Sequence, residues 1–398
     1  MTATGGPRRV VTGRAAAQLR ACAPALLGYL AVRAVGVLIL LVNQHSVPVL
    51  TRLGTLWDAH WYTDVATHGY RDDIGVYGVN GVPFSTRAFF PLYPLLIRAV
   101  TGVLPVSAPG AALAVAWAAS LVAALGIFAV VAHRYNRRVG VITVVLWGAL
   151  PHAAVQSMAY SESLFTALAA WSLHALQRRN WIRAGVLSLL AGLVRPTAAA
   201  VVAAVCLAAA VELVRRVRRR EAEHGDAPAW WRIVLGAGLA PLGIVGYIGY
   251  VDHVRRSWSG YSYIQSAWGT QFDGGMGTAR WLDQMFLSPG SPPQLLNQVV
   301  IALVVVAYVV LFLLALVQRQ PLPWLVYGAT ILAVAIGSSS TDAARARFLV
   351  PAFVLLVPLA AGLSRVRSRA SLGVLLGSAA VCSGFYGVYL VFANSYSP

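Results

Sequence analysis

Lysine is absent from this chain of 398 residues, and 13 acidic residues stand against 31 arginines. Only 11% of the residues are charged, whereas soluble domains carry about 25%. A soluble enzyme or a soluble domain on a single anchor is therefore excluded, because no polar stretch approaches the ~100 residues such a domain needs. Cysteine is equally scarce: Cys22, Cys206 and Cys382 lie in or beside apolar runs without CxxC spacing. They read as small packing residues rather than as a disulfide framework or metal ligands. There is no Walker A loop, no DxD between soluble strands, no GxSxG and no HExxH, so nothing marks a cytoplasmic site for ATP or a nucleotide sugar. No repeat of 20–50 residues is visible.

Hydrophobic residues fill the space these absences leave, at 58% of the chain with a mean hydropathy of +0.69. Runs of about 20 apolar residues recur from Ala21 onward, each long enough for a ~30 Å hydrocarbon layer. The N-terminal arginines followed by an apolar stretch imitate a secretory signal. That stretch, 21–42, is too long for one and lacks a small-residue cleavage site, so an uncleaved first span is expected. Arg33 inside it must face the bundle or snorkel. Further spans are expected near 111–132, 140–158, 163–176, 231–251, 297–317, 322–337, 348–363 and 372–392. The run between Arg183 and the arginines at 215–220 has two basic flanks that both want the cytoplasm. Arg195-Pro196 interrupts it, and proline breaks the helical ladder. A helical hairpin is expected, with legs near 184–194 and 197–214 and Arg195 at its apex; such a short leg is tolerated where it lines a cavity.

The expected fold is an all-α polytopic membrane protein of about eleven crossings, one domain over 1–398, with the N-terminus in and the C-terminus out. Twenty of the 31 arginines then fall on the cytoplasmic side, and nine of the 13 acidic residues fall outside or at its edge. The net charge of +18 thus follows the positive-inside bias rather than nucleic-acid binding. Two large extracytoplasmic loops result, 43–110 and 252–296, and chemistry is expected on that side of the plasma membrane. Residues 215–224 read as a solvated cytoplasmic linker.

The richest polar stretch is 56–70, LWDAHWYTDVATHGY, which packs two carboxylates, two histidines, two tryptophans and two tyrosines into fifteen residues. Asp58 could act as a general base or merely cap a helix among belt-forming tryptophans. Asp64 is a second candidate, but six residues of helix is roughly 600°, which sets the two carboxylates ~120° apart. His60 and His68 form no HxH or HxxxH pair, and Asp72-Asp73 beside Arg71 reads as a solvated turn as readily as a metal site. The stretch 89–96, FFPLYPLL, suits a short interface helix or simply leads into the next span. Glu162 opens a helix, where dipole complementarity alone explains an acid. Arg195, Arg345 and Arg347 lie at outer membrane depth. They could take phosphate oxygens bidentately or contact headgroups.

These motifs occur in one order: Trp57-Asp58-Ala59-x-Trp61-Tyr62 with Gly69-Tyr70, Phe89 to Leu95, Ser161-Glu162-Ser163-Leu164-Phe165, Arg195-Pro196-Thr197, and Ala346-Arg347-Phe348-Leu349-x-Pro351-Ala352-Phe353. Together they resemble the bacterial relatives of the GPI mannosyltransferase called PIG-V, polytopic glycosyltransferases of the GT-C fold, over roughly 20–365. The resemblance implies a polyprenyl-phosphate-mannose donor entering from the outer leaflet. It also implies a glycan, glycolipid or protein acceptor, and inversion at the anomeric centre. It puts the catalytic base on Asp58, less firmly on Asp64; a departing phosphate also needs a cation, and Arg195, Arg347 and Arg345 are the candidates. Trp57, Trp61, Tyr62, Tyr93 and Glu162 are left for sugar and lipid. Relatives with adjacent acids at the base position differ from this chain's single Asp58, so a mechanism without metal or cofactor is expected. Another lipid-linked sugar such as a pentose, a transporter or flippase, and a non-catalytic subunit of a glycosylation complex remain as alternatives. The role of 252–296 stays open between an acceptor-side loop and mere connection.

Overall fold

A computed structural model describes residues 8–44, 47–78, 80–218, 229–287, 291–339 and 344–394. The linker expected at 215–224 falls largely outside them, as does Asp342. Among the described residues the chain is helical throughout, with β-pairing limited to two isolated bridges, Tyr77 with Pro83 and Phe272 with Ser338.

The long helix α1 (Arg8–Val42) leads into α2 (Val49–Thr55), α3 (Asp58–His68) and α4 (Leu92–Val103). Next come α5 (Ala108–Arg134), α6 (Arg137–Gly148), α7 (Glu162–Gln177), α8 (Trp181–Gly192) and α9 (Ala199–Arg218). The second half holds α10 (Trp230–Leu239), α11 (Leu242–Val254), α12 (Gly260–Ala267), α13 (Met276–Leu287) and α14 (Pro292–Val317). It ends with α15 (Leu322–Gly337), the short α16 (Ala344–Phe348), α17 (Val357–Leu363) and α18 (Arg369–Val388). Local chemistry sets these boundaries. Side chains of Ser107, Asn136 and Asn180 accept from the amides of Gly110, Val139 and Arg183 and so cap α5, α6 and α8. Ser291 and Gln294 form a capping box ahead of α14.

Among the described residues, six helical stretches are long and apolar enough to cross a membrane: Arg20–Val42, Ala108–Arg134, Pro196–Arg218, Trp230–Val254, Gln294–Val317 and Arg369–Ala393. Shorter apolar helices are Leu92–Val103, Trp181–Gly192, Leu322–Gly337 and Phe353–Leu363. Three expected spans are not continuous. The one read over 231–251 is divided into α10 and α11 at Ala240-Pro241. The one read over 140–158 stops at Gly148, and a 3-10 turn, Pro151–Gln156, replaces its second half. The one read over 348–363 is broken after α16 and restarts as a 3-10 turn at Phe353. Prolines at 151 and 351 interrupt the hydrogen-bond ladder at these places. Arg33 faces the bundle, where it donates to the Gly148 carbonyl at 3.2 Å and to Ser157 at 2.5 Å.

The hairpin of α8 and α9 turns at Arg195, whose extended backbone precedes the Pro196–Ala198 turn. Its short leg lies directly on α10 and α11 through glycines. A methyl at Gly185 would collide with the Gly236 carbonyl, one at Gly243 with the Leu189 carbonyl, and one at Gly192 would stand 2.5 Å from the Ile244 nitrogen. Such small-residue crossings let helices associate where lipid removes the hydrophobic drive.

Candidate active site

Trp57 turns the chain into α3 with φ +51° and ψ −118°. A bulky residue held at positive φ costs about 1–3 kcal/mol and persists only where the surroundings fix it. The turn makes Asp58 the first residue of α3, and its carboxylate points toward α16. There Asp58 Oδ2 accepts from Arg347 Nη1 at 2.7 Å. The Nε of Arg347 lies 3.4 Å from Glu162 Oε1, and Arg195 Nη1 lies 2.6 Å from the same oxygen. Four charges from α3, α16, α7 and the hairpin apex therefore alternate in one row: Arg195, Glu162, Arg347, Asp58.

Burial differs along the row. The Glu162 side chain is 2% exposed, Arg347 8% and Arg195 9%, while Asp58 is 22% exposed. Charges this deep need partners, because isolated burial costs many kcal/mol. Aromatic faces supplement the pairing: Arg195 sits 5.7 Å from the Phe348 ring, and Arg347 5.3 Å from that of Tyr160. Burial alone would lower the Arg347 pKa, but the Asp58 and Glu162 charges outweigh it and hold it above the usual arginine value. Beside the row lies His152 in the 3-10 turn. Burial, reinforced by the Arg347 charge, pushes its imidazole down to about 3. Neither ring nitrogen has a hydrogen-bond partner among the described residues, and the ring meets Tyr386 edge-on at 5.3 Å.

The row opens onto a cavity of about 700 Å³. Trp57, Asp58, Trp61 and Phe89 form one wall; Arg195, Pro196, Thr197, Arg347 and Phe348 form the floor. The facing wall is Tyr261, Ser262, Gln265, Trp268, Thr270, Gln271 and Phe272, with Ser338 at the end of α15. That wall comes from 252–296, the loop whose role the sequence left open. Its only signal there was a dense aromatic and amide composition, YSYIQSAWGTQF. Long-range contacts hold it in place. Trp268 packs edge-on against Trp61 at 5.4 Å and Phe89 at 5.2 Å, and Asn80 donates to Ser266 at 3.0 Å. The Asp273 amide donates to the Gly337 carbonyl at 2.9 Å and the Ser339 amide to the Gln271 carbonyl at 2.7 Å.

Of the candidates from the sequence, Trp57, Asp58, Trp61, Arg195 and Arg347 line this cavity, and Glu162 joins its charge row from behind. The others lie elsewhere. Asp64 pairs with Arg71 and with His68 Nδ1 at 2.9 Å on the outer flank of α3. Partial burial raises its pKa, but Arg71 and His68 outweigh that and leave it below the usual carboxylate value. Arg345 is buried on the far side of α16, donating to Thr278 at 3.0 Å over the Trp281 ring at 5.2 Å. Tyr93 donates to the Ala112 carbonyl at 2.8 Å and pins α4 to α5. Tyr62 shares a 2.7 Å hydrogen bond with Ser161, which steadies the residue before Glu162. His60 lies edge-on to Trp61, and Asp72 pairs with Arg87 at 2.7 Å. Among the described residues, no three His, Cys, Asp or Glu side chains gather as metal ligands.

No protein-family model and no curated protein matches the chain. Among solved structures its fold is similar to that of ArnT from Cupriavidus metallidurans bound to undecaprenyl phosphate, at 14% identity and a TM-score of 0.51 over 89% of this chain. The chain spans 63% of the length of that ArnT chain. Apo ArnT gives 15% identity and a TM-score of 0.49 over 87% of this chain and 62% of ArnT. An Archaeoglobus fulgidus oligosaccharyltransferase tethered to an acceptor peptide gives 12% and 0.49 over 94% of this chain and 56% of its own. At such identities the first likeness bears on architecture alone: an all-helical polytopic fold shared with ArnT, the GT-C type that the motif resemblance implies.

Proposed function

We propose that the protein is a membrane glycosyltransferase of the bacterial PIG-V-like branch. It moves mannose from polyprenyl-phosphate-mannose to an acceptor hydroxyl at the extracytoplasmic face of the plasma membrane, with inversion. The observation that carries the reading is the shared cavity lining: one partly exposed carboxylate, Asp58, beside two buried guanidinium groups, Arg195 and Arg347. The likeness in fold to a structure solved with undecaprenyl phosphate supports it.

The chemistry follows from that pairing. Asp58 takes the proton of the acceptor hydroxyl as its oxygen attacks the anomeric carbon. The new glycosidic bond forms while the bond from that carbon to the phosphate oxygen breaks. The electron pair leaves with the phosphate, whose added charge falls to Arg347 and Arg195, fixed cations that need no reorganisation. Attack from the face opposite the phosphate inverts the centre. Trp57 and Trp61, faced by Trp268, supply flat apolar walls for the sugar ring and lipid. Asp64 and Arg345, each turned away from the cavity, are left with structural roles. About eleven crossings, N-terminus in, put this cavity at the outer leaflet.

Membranes carrying the protein, purified polyprenyl-phosphate-mannose and candidate acceptors test the reading by product analysis. Asp58→Asn is expected to insert normally, bind the lipid and lose turnover by about 10²–10⁴-fold, the usual worth of a general base. Near-normal turnover in that variant sinks the assignment. A panel of other polyprenyl-phosphate sugars decides the donor. Cargo movement in proteoliposomes without any glycoside product would instead favour transport.

A further inference from the structure

Arg347 serves two carboxylates at once, and they differ in what else they can reach. Asp58 lines the cavity, whereas Glu162 is sealed behind the wall and holds Arg195 as firmly as Arg347 is held by Asp58, at 2.6 and 2.7 Å. A buried carboxylate that touches both cations and is absent from the cavity lining cannot bind substrate there. It can set how much positive charge the two arginines show to the other side. The row is neutral as it stands, with two cations and two anions. With Oδ2 taken up by Arg347 Nη1 at 2.7 Å, the Asp58 carboxylate is also engaged as an acceptor and not free to receive an acceptor's proton.

We propose that Glu162 is a positioning residue that lets Arg347 change partners. It holds both guanidinium groups in the wall, so that an entering phosphodiester takes Arg347 from Asp58 and frees that carboxylate as a base only when a donor is bound. This rests on the transferase reading above and adds a sequence to it: phosphate first, base second. An empty cavity then keeps its carboxylate quenched, which guards against activating water in place of the acceptor. The charged groups around Asp58 are Arg347, Glu162 and Arg195. Tyr62, which feels the Asp58 charge and whose pKa burial raises, stays neutral through the working range.

Glu162→Gln separates this role from a merely structural one, because binding and turnover should move in opposite directions. Without its counter-charge the row gains a positive charge. Undecaprenyl phosphate, titrated in detergent against the intrinsic tryptophan fluorescence, should bind as tightly as to the wild type or more so. With polyprenyl-phosphate-mannose, kcat should fall about tenfold or more while the donor KM stays level or drops. Glu162→Asp, which keeps the charge, should restore part of kcat and serves if the amide variant does not fold. Weaker lipid binding by Glu162→Gln, or wild-type kcat in that variant, overturns the inference while leaving the transferase intact. A wild type that transfers no sugar from any polyprenyl-phosphate donor overturns the transferase reading, and the binding comparison still decides the charge row.

Discussion

Arginines border a cavity at each end of this bundle, and the two ends hold them differently. At one end a cavity of about 370 Å³ is lined by apolar residues of α7, α8, α9 and α15, with Arg179 and Arg215 at its edge. The neighbouring Arg216 meets Glu212 at a loose 3.5 Å, one turn away on the same helix. At the other end Arg195 and Arg347 are nearly sealed, and each is tied to a carboxylate from a distant part of the chain. The first pattern is what the positive-inside bias produces by itself: charge placed to orient a span, without a partner from afar. The second requires four elements to converge, and nothing about crossing a bilayer demands that. Arginine count therefore says little about where chemistry lies. Arginine with a carboxylate brought from elsewhere says much more.

Substitutions can break or sharpen that contrast. The largest effect belongs to Asp58→Asn, described above. Next comes Arg195→Gln, expected to cut transfer by about 10²–10³-fold, the cost of removing one fixed stabiliser of developing charge. Thermal unfolding in detergent should show a stability loss as well, since breaking a buried ion pair costs about 3–5 kcal/mol. An active, fully stable Arg195→Gln would place the two ends on one footing.

Acid should strike the sealed end selectively. The His152 pKa is about 3 in the fold and about 6.5 in an unfolded chain. Between those values the unfolded state binds the extra proton, so stability is complete above about pH 6.5 and drains away as pH falls toward the folded value. The slope from this residue is at most about 1.4 kcal/mol per pH unit. Melting curves from pH 7 to pH 5 should show it, and His152→Asn should flatten it. The smallest effect is expected at the opposite rim. Arg215→Gln should change stability by no more than about 0.5 kcal/mol and leave the donor KM as it is. A tenfold loss of transfer there would contradict the contrast outright.

Much of this arrangement can be read from local rules. Proline after Arg195 marks the hairpin, and helix arithmetic separates Asp58 from Asp64 before any coordinates. The same arithmetic would have separated Arg345 from Arg347, since two residues of helix is about 200°. Nothing local in the sequence marks α16 as a helix, yet it is one, and the two side chains leave it on opposite sides. The breaks at Pro151 and Pro351 were hidden by unbroken hydropathy, which registers apolar content but not backbone continuity. The facing wall was beyond reach for a different reason. Trp268 meets Trp61 across some two hundred residues, and no periodicity within 252–296 records such a contact. Glu162 looked like a helix-start acid because its two arginines come from other elements.

The glycine crossing beneath the hairpin has a mechanical consequence. Where Gly185, Gly192, Gly236 and Gly243 bring backbones together, no side chain can compress or rotate to absorb a load. Helices in thicker or thinner bilayers respond by tilting or shifting, yet this pair must do so as a single stiff rod. The guanidinium at its tip thus stays level with the rest of the cavity floor as the surrounding lipid changes, much as a post set in masonry ignores the play of the boards around it.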